Sequence, residues 1–133
     1  EVVDAAAFLA GQPGRGVKSL RHDDLTVMEV AMKMQASGKA TVAVNAASAY
    51  QVGGGVMSGG RHALEEAMCT TSTLLPSLQK VQWQDRRSTS HAHEHLHQHI
   101  PVTSCIMSPQ VQIFRDTSAR GYAFQERPTT LAG

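Results

Sequence analysis

The sequence contains 133 residues, of which 41% are hydrophobic and 17% charged, and its net charge at pH 7 is +1. This composition is typical of a globular domain and excludes a disordered or fibrous chain, and the length suffices for one ordinary domain but not for two. The 12 lysines and arginines are scattered, which argues against direct binding of nucleic acid, since phosphate backbones attract clustered positive charge. The apolar runs are too short for a transmembrane segment, and none is expected.

The chain begins with an alanine-rich stretch, residues 1–10, which predicts a short helix. The "GQPGRG" of residues 11–16 then predicts a flexible connection. Because neither an initiator methionine nor a signal segment is present, we expect a processed chain or a fragment. The compartment stays unknown: an intracellular location is expected, and an organelle is compatible after removal of a targeting segment.

A stronger helix is predicted next, capped by Asp23 or Asp24 and ended by Gly38. Its helically spaced positions are Leu25, Met28, Ala31, Met32 and Gln35. The following "KATVAVN" is a β-branched run without polar alternation, which predicts a parallel strand buried on both faces. A glycine-rich loop and a second helix, about 61–74, complete a helix–strand–helix order typical of an α/β sheet. In such sheets, ligands bind beyond the carboxyl ends of the strands.

The second half of the chain is less regular. Residues 82–100 are polar without an apolar period and predict an exposed excursion, and two short strands are predicted at Ser104–Met107 and Val111–Phe114. The segment from Thr117 onward has little periodicity. Cys69 and Cys105 are too few for a disulfide framework, and both are interpreted as buried thiols.

Three consecutive glycines, Gly53, Gly54 and Gly55, follow the predicted strand. Consecutive glycines cost stability through chain entropy, so they need a reason. Either the backbone approaches a ligand closely, pyrophosphate above all beside a helix N-terminus, or the segment is a flexible surface loop. Composition alone leaves both interpretations open.

Two adjacent acids, Glu65 and Glu66, come shortly after the glycines, in the first turns of the predicted helix. Neighbours on a helix diverge by about 100°, so the two carboxylates are not expected to share one face. A carboxyl group beside a sugar can protonate a leaving oxygen and then activate water. The alternative is that the acids only complement the helix dipole.

The stretch "VAVNAASAYQVGGGVMSGGRHALEEAMCTTSTLLPSL" resembles the signature region of the microbial poly(ADP-ribose) glycohydrolases. The family motif consists of an Asn-x-Ala turn after a strand, Gly-Gly-Gly, about eight residues, and Gln-Glu-Glu. A Cys-x-x-Ser-x-Leu-x-x-Ser-Leu stretch and a Ser-Pro-x-Val-x-x-Phe-Arg segment follow in the family, and this chain carries similar residues in "CTTSTLLPSL" and "MSPQVQIFRD". The similarity is ordered across about residues 24–116.

The resemblance implies a single macrodomain-like α/β domain over residues 1–133, with three layers and a mostly parallel or mixed sheet that is incomplete at the C-terminus. It also implies a pocket for ADP-ribose or its polymer, hydrolysis of ribose–ribose bonds, and no cofactor. Glu66 would be the acid/base and Glu65 its ribose-orienting neighbour. The implied contacts to ADP-ribose are Asn45, Gly53, Gly54 and Gly55.

The chain departs from the family pattern at three places. Leu64 stands where the family has glutamine, Val52 where proline is usual, and few residues follow Asp116. Two alternatives to an enzyme therefore stay open. One is an inactive fragment that serves as a structural subunit beside protein neighbours in a larger assembly, for which an organelle is compatible. The other is a non-catalytic module that binds ADP-ribose. An incomplete sheet would leave an edge for a neighbour to cover.

A histidine tract occupies alternate positions in the polar excursion, at His91, His93, His95, His97 and His99. Imidazoles so spaced can bind zinc or nickel. Because such tracts in polar low-complexity segments are more often solvated loops, no metal site is predicted, and the tract is kept as an alternative.

Overall fold

A computed structural model describes residues 2–4, 24–86, 100 and 103–131, with side chains for 24–81, 100 and 103–131. In chain order the elements are β1 (Val2–Asp4), α1 (Val27–Ala36), a 3-10 turn (Val56–Ser58), α2 (Leu64–Thr71), α3 (Leu74–Arg86), β2 (Ser104–Ile106), β3 (Gln112–Arg115), a second 3-10 turn (Ser118–Arg120) and β4 (Phe124–Thr130). The fold is therefore of the mixed helix-and-sheet class, as expected. The prediction of a helix over residues 1–10 is wrong at Val2–Asp4, which is a strand.

Helix α1 begins two or three residues later than its predicted aspartate caps imply, because Thr26 is the N-cap. The Glu29 backbone N–H donates to the Thr26 hydroxyl, and the Glu29 carboxylate accepts from the Thr26 backbone N–H at 2.9 Å. This is a capping box, in which each residue satisfies the other's free donor. The Thr26 backbone N–H, and then its hydroxyl, hold the pKa of Glu29 below its usual value. Gly38 follows the helix with φ +76°, which confirms its predicted role as terminator.

Residues 39–45, where a parallel strand buried on both faces was predicted, lie in the segment 39–47, which has no ladder to any other described residue. Thr41 is buried, whereas the side chains of Val42 and Val44 are 66% and 76% exposed. The prediction is wrong on pairing and on burial of the second face. A β-branched run favours extended backbone, but only neighbouring strands can bury both of its sides.

The sheets formed by the described residues are both antiparallel and two-stranded, β1 with β2 and β3 with β4. The expected mostly parallel or mixed three-layer arrangement is not found in the described part of the chain. Strands β2 and β3 confirm the two predicted short strands, while β4 lies in a segment for which no periodicity indicated a strand. Its pairing with β3 runs from Gln112 opposite Thr130 to Arg115 opposite Phe124, with an irregularity between.

The predicted second helix is divided in two at Ser72. The Ser72 backbone is extended and bridges to Ile113, while the Ser72 hydroxyl donates to the Met68 carbonyl at 2.7 Å. Helix α3 starts at Leu74 and extends to Arg86, so the predicted excursion of 82–100 is helical over its first residues. The Ser77 hydroxyl donates to the Ser108 hydroxyl at 2.8 Å and thereby ties α3 to the turn before β3.

Small and aliphatic side chains form the core, as the low aromatic content predicts. Ile113 is fully buried at its centre and α2 packs against β3 beside it. The other buried members are Met28, Ala31, Val52, Met68, Cys69, Leu74, Leu78, Val111 and Leu131. Cys69 confirms its prediction as a buried thiol, whereas the same prediction for Cys105 is wrong, since this residue of β2 is exposed. Among the described helices, none is both long and apolar enough to cross a bilayer.

Candidate active site around the glycine loop

The two adjacent acids lie in the first turn of α2, directly after its N-cap Ala63. Acidic side chains are favoured there because they complement the unpaired N–H groups and the dipole of the helix end. Both carboxylates accept hydrogen bonds from the glycine loop, residues 53–60. This loop packs against the helix and determines the environment of each acid.

Glu65 is buried, with only 4% of its surface exposed. Its Oε2 accepts a hydrogen bond from the Ser48 backbone N–H at 2.8 Å, and its Oε1 accepts one from the Gly53 backbone N–H at 3.0 Å. Hydrogen bonds to a carboxylate are stronger than those between neutral groups, and a buried carboxylate needs them. Glu65 therefore fastens the segment before the glycines to the helix after them.

Glu66 is only half-buried, and it has a different set of contacts. Its Oε1 accepts from the Gly55 backbone N–H at 2.7 Å. The described part of the chain offers Oε2 no partner outside Glu66 itself. The Gly55 N–H, followed by the backbone N–H of Glu66, holds the pKa of this carboxyl below its usual value. One carboxylate oxygen is thus fixed by the loop and the other is available to a ligand.

The backbone geometry and the close neighbours of this loop require glycine. Gly53 and Gly54 have φ of +75° and +55°, in the region that favours glycine. A Cβ at Gly54 would be 2.5 Å from Glu66 Oε1 and 3.2 Å from Glu65 Oε2. Gly60 also approaches closely, since a Cβ there would be 3.2 Å from Glu66 Cγ. The two long side chains thus both reach Gly54 from successive helix positions.

All three glycine N–H groups donate to acceptors inside the protein. Gly53 donates to Glu65 and Gly55 to Glu66, while Gly54 donates to the Gln51 carbonyl at 3.0 Å. The predicted contact of these glycines with ribose and diphosphate stays a prediction. If it is made through the Gly55 N–H, Glu66 has to move aside.

Asn45 lies three residues before Ser48 and lines a cavity of about 380 Å³ between the segment 39–47 and β2. Its Oδ1 is buried without a hydrogen-bond partner among the described residues. A buried amide oxygen without a donor is costly, and such an atom in a native structure calls for an explanation. The cavity walls are otherwise mostly apolar, from side chains that include Met28, Met68 and Leu131.

A known protein family matches most of this chain. The family described as "Microbial-type PARG, catalytic domain" matches residues 12–116, more than half of the chain. The chain belongs to this family. No curated protein and no solved structure matches it significantly. The resemblance of the glycine–acid motif to the microbial poly(ADP-ribose) glycohydrolases is thereby confirmed at the level of the family, whose name indicates glycohydrolase activity.

Within this PARG-family chain, Cys69 lies beneath the acid pair but is not suited to be a nucleophile. Burial, together with the nearby carboxylates of Glu65 and Glu66, raises the pKa of its thiol to about 12. A cysteine acts as a nucleophile in its thiolate form, which such surroundings suppress.

The histidine tract from His91 to His99 lies outside the described residues, so its metal-binding alternative stays a prediction. Within the described residues, no group of three or more histidines, cysteines or acids is arranged to hold a metal ion.

Three residues of the site were not identified from the sequence: Ser48, Arg61 and Tyr122. Ser48 contributes a backbone N–H to Glu65, a role that no side-chain motif can indicate. The Arg61 guanidinium binds carbonyls of the glycine loop, and the Tyr122 hydroxyl donates to the Arg61 carbonyl. Arg61 is adjacent to the motif and could have been considered, whereas Tyr122 is 61 positions away and only the fold brings it there.

Proposed function

We propose that this chain hydrolyses ribose–ribose O-glycosidic bonds of an ADP-ribose polymer, with Glu66 as the acid/base. The observation that carries the proposal is the different environment of the two acids within a family-typical motif. Glu65 has both carboxylate oxygens occupied by backbone N–H groups, whereas Glu66 is half-exposed and held through one oxygen only. A group that exchanges protons with a substrate needs this kind of access.

In the proposed reaction, the Glu66 carboxyl group gives its proton to the glycosidic oxygen as the bond from that oxygen to the anomeric carbon breaks. Water then adds to that carbon and returns a proton to the Glu66 carboxylate, so the enzyme is regenerated. The lowered pKa of Glu66 means that it is ionised in the free protein at neutral pH. A bound substrate that covers the carboxylate would remove water and favour its protonated form.

The other predicted site residues receive supporting roles in this proposal. Glu65 orients the ribose indirectly, by fixing the backbone of Ser48 and Gly53 around it. Asn45 contacts a ribose hydroxyl, which would give its buried Oδ1 the donor that it lacks. The loop from Gly53 to Gly55 lies along the ribose and the diphosphate, where the absence of side chains permits a close approach.

The test is the replacement Glu66→Gln, assayed by release of ADP-ribose from the polymer. We expect kcat to fall by about a thousandfold, in the range that a lost acid/base accounts for, while the polymer still binds. The control is Glu126→Gln, which makes the same change at an exposed position of β4 and should leave kcat unchanged.

A Glu66→Gln protein that released ADP-ribose at the native rate would contradict the role of Glu66. Titration of the native protein with ADP-ribose by calorimetry separates the remaining possibilities. Binding without any turnover of the polymer would identify a binding module, and the absence of both binding and turnover would refute the proposed function as a whole.

A further inference from the structure

The Arg61 side chain forms a clasp across the glycine loop. Its Nη1 donates to the Val56 carbonyl at 2.9 Å and to the Gly60 carbonyl at 2.6 Å. Both acceptors are backbone carbonyls, and among the described residues no ion pair joins this guanidinium to a carboxylate. A half-buried arginine used in this way fixes the two ends of a turn relative to each other.

The turn that Arg61 clasps, residues 55–60, contains the N–H group that donates a hydrogen bond to Glu66. The Gly55 carbonyl accepts from the Gly60 N–H at 2.9 Å and from the Ser58 N–H at 3.0 Å, while the Gly55 N–H donates to Glu66 Oε1. The same peptide region thus connects the turn to the proposed catalytic carboxylate. Loosening the turn between Val56 and Gly60 would displace the Gly55 N–H relative to Glu66.

A strained residue of the hairpin formed by β3 and β4, here called the C-terminal hairpin, holds the Arg61 backbone in place. Tyr122 has φ +56°, which is unusual for a bulky side chain and costs on the order of 1–2 kcal/mol. Its backbone N–H donates to the Thr117 carbonyl, and the Arg115 guanidinium contacts its carbonyl. This backbone geometry places the Tyr122 hydroxyl 3.0 Å from the Arg61 carbonyl, to which it donates.

We propose that Arg61, held by Tyr122, is a positioning residue that sets the orientation of the Glu66 carboxylate through the turn from Gly55 to Gly60. This inference rests on the proposed function for its effect on catalysis, although its geometric content is independent of any substrate. Arg61 thereby connects the C-terminal hairpin to the proposed acid/base. Tyr122 bonds to the Arg61 backbone, the Arg61 side chain bonds to the turn, and the turn bonds to Glu66.

Three variants test the chain of contacts by steady-state kinetics. Arg61→Ala removes the clasp and is expected to lower kcat by about tenfold to a hundredfold, since a small displacement of a catalytic group is costly, with KM changed by less than about twofold. Tyr122→Phe removes only a hydroxyl and is expected to lower kcat by about threefold to tenfold, the equivalent of one hydrogen bond. Arg61→Lys keeps the charge and should restore part of the loss.

The matched control is Arg120→Ala, which removes the same charge from a side chain that is 75% exposed and 3.7 Å from Asp116. An exposed ion pair of this kind contributes little, so kcat should stay at the native value. Thermal unfolding of every variant confirms that a kinetic loss does not come from unfolding. If Arg61→Ala does not fold, Tyr122→Phe still decides the question.

A second measurement, the pKa of Glu66, does not require enzymatic activity. It is obtained by following the NMR signal of the Glu66 carboxyl carbon as the pH changes, and the Glu66→Gln variant identifies this signal by its loss. The titratable groups that face this carboxyl are Glu65 and Cys69 on its own helix, and residues 51–60 of the loop carry none. Because the Gly55 N–H lowers the Glu66 pKa, both Arg61→Ala and Tyr122→Phe should raise it toward the ordinary carboxyl value. Tyr122→Phe changes no charge, so a rise there reflects geometry.

The outcomes separate the two proposals. A native protein without turnover in which both variants raise the Glu66 pKa would refute the glycohydrolase and support the positioning role. An active native protein in which Arg61→Ala or Tyr122→Phe leaves both kcat and the Glu66 pKa unchanged would overturn the positioning role and leave the glycohydrolase intact. An equal loss of kcat in Arg120→Ala would also overturn it.

Discussion

Two consecutive regions of the chain, the segment 39–47 and the loop-and-helix unit 48–66, differ in how their backbone groups are satisfied. In the second region, each glycine N–H has an acceptor within the unit, and two carboxylates hold the loop. The first region has no ladder to other described residues, and it exposes the side chains of Val42 and Val44. Local sequence can complete a loop by itself, whereas a strand depends on partners from elsewhere in the chain.

The largest effect is expected from Gly54→Ala, which tests whether the loop exists to accommodate the acids. A methyl group there would meet Glu66 Oε1, and the flexible carboxylate would move aside and lose the Gly55 N–H. We expect kcat on the ADP-ribose polymer to fall by at least about a hundredfold, with a loss of roughly 1 kcal/mol in the free energy of unfolding from the positive φ.

The control for this variant is Gly38→Ala. Gly38 has φ +76°, and a Cβ there would have no atom within 4 Å. It should lose a similar free energy of unfolding, about 1 kcal/mol, without loss of kcat. If the two alanine variants had equal activity, the close approach of the acids to Gly54 would have no functional meaning.

A smaller effect concerns the pH dependence of stability and isolates the contact between the loop and Glu66. The Gly55 N–H lowers the folded-state pKa of Glu66 below its unfolded value, so the ionised form is favoured by folding. This contribution is fully present above the ordinary carboxyl pKa and is lost as the pH falls through the lowered value. The difference in free energy of unfolding between the native protein and Glu66→Gln should therefore shrink between pH 7 and pH 3.

Urea titrations of both proteins at several pH values measure this difference. If it were constant over the whole range, Glu66 would not be held by the loop in solution, and the two regions would differ less than the structure indicates.

The smallest effect, on the free energy of unfolding, is expected in the segment 39–47. Val44→Thr should change the free energy of unfolding by less than about 0.5 kcal/mol, because an exposed side chain exchanges one hydrated surface for another. The same substitution at Val81, which is only 4% exposed, should cost about 1–3 kcal/mol through burial of an unneeded hydroxyl. Chemical denaturation of the two variants checks this. Equal losses at both positions would show that Val44 is covered, as a buried strand requires.

Part of the candidate site could be predicted from the sequence because its members lie within one short stretch. Asn45, the glycine triplet and the two acids are in a motif whose order indicated the family, and the family match confirms that assignment. The division of roles between Glu65 and Glu66 could not be predicted, since it depends on which backbone N–H groups lie opposite each carboxylate. The contact from Tyr122 to Arg61 joins residues that no local pattern relates.

The fold was predictable to a similar extent. Helix α1 and strands β2 and β3 follow from local periodicity, whereas β4 has the sequence "FQERPTT", in which apolar and polar residues do not alternate. Its strand conformation comes from pairing with β3. The division of the predicted second helix at Ser72 likewise depends on a bridge to Ile113, 41 residues later in the sequence.

The sequence by itself determined the chemistry of the loop: glycines where only glycine permits positive φ and close approach, followed by two acids at the start of a helix. These are local requirements of backbone geometry and helix dipole, and they act over a few residues. Only the tertiary structure decided that one acid is buried and fully bonded while the other keeps an oxygen available. Burial and hydrogen-bond partners are properties of the packed chain, because they depend on residues that meet only after folding.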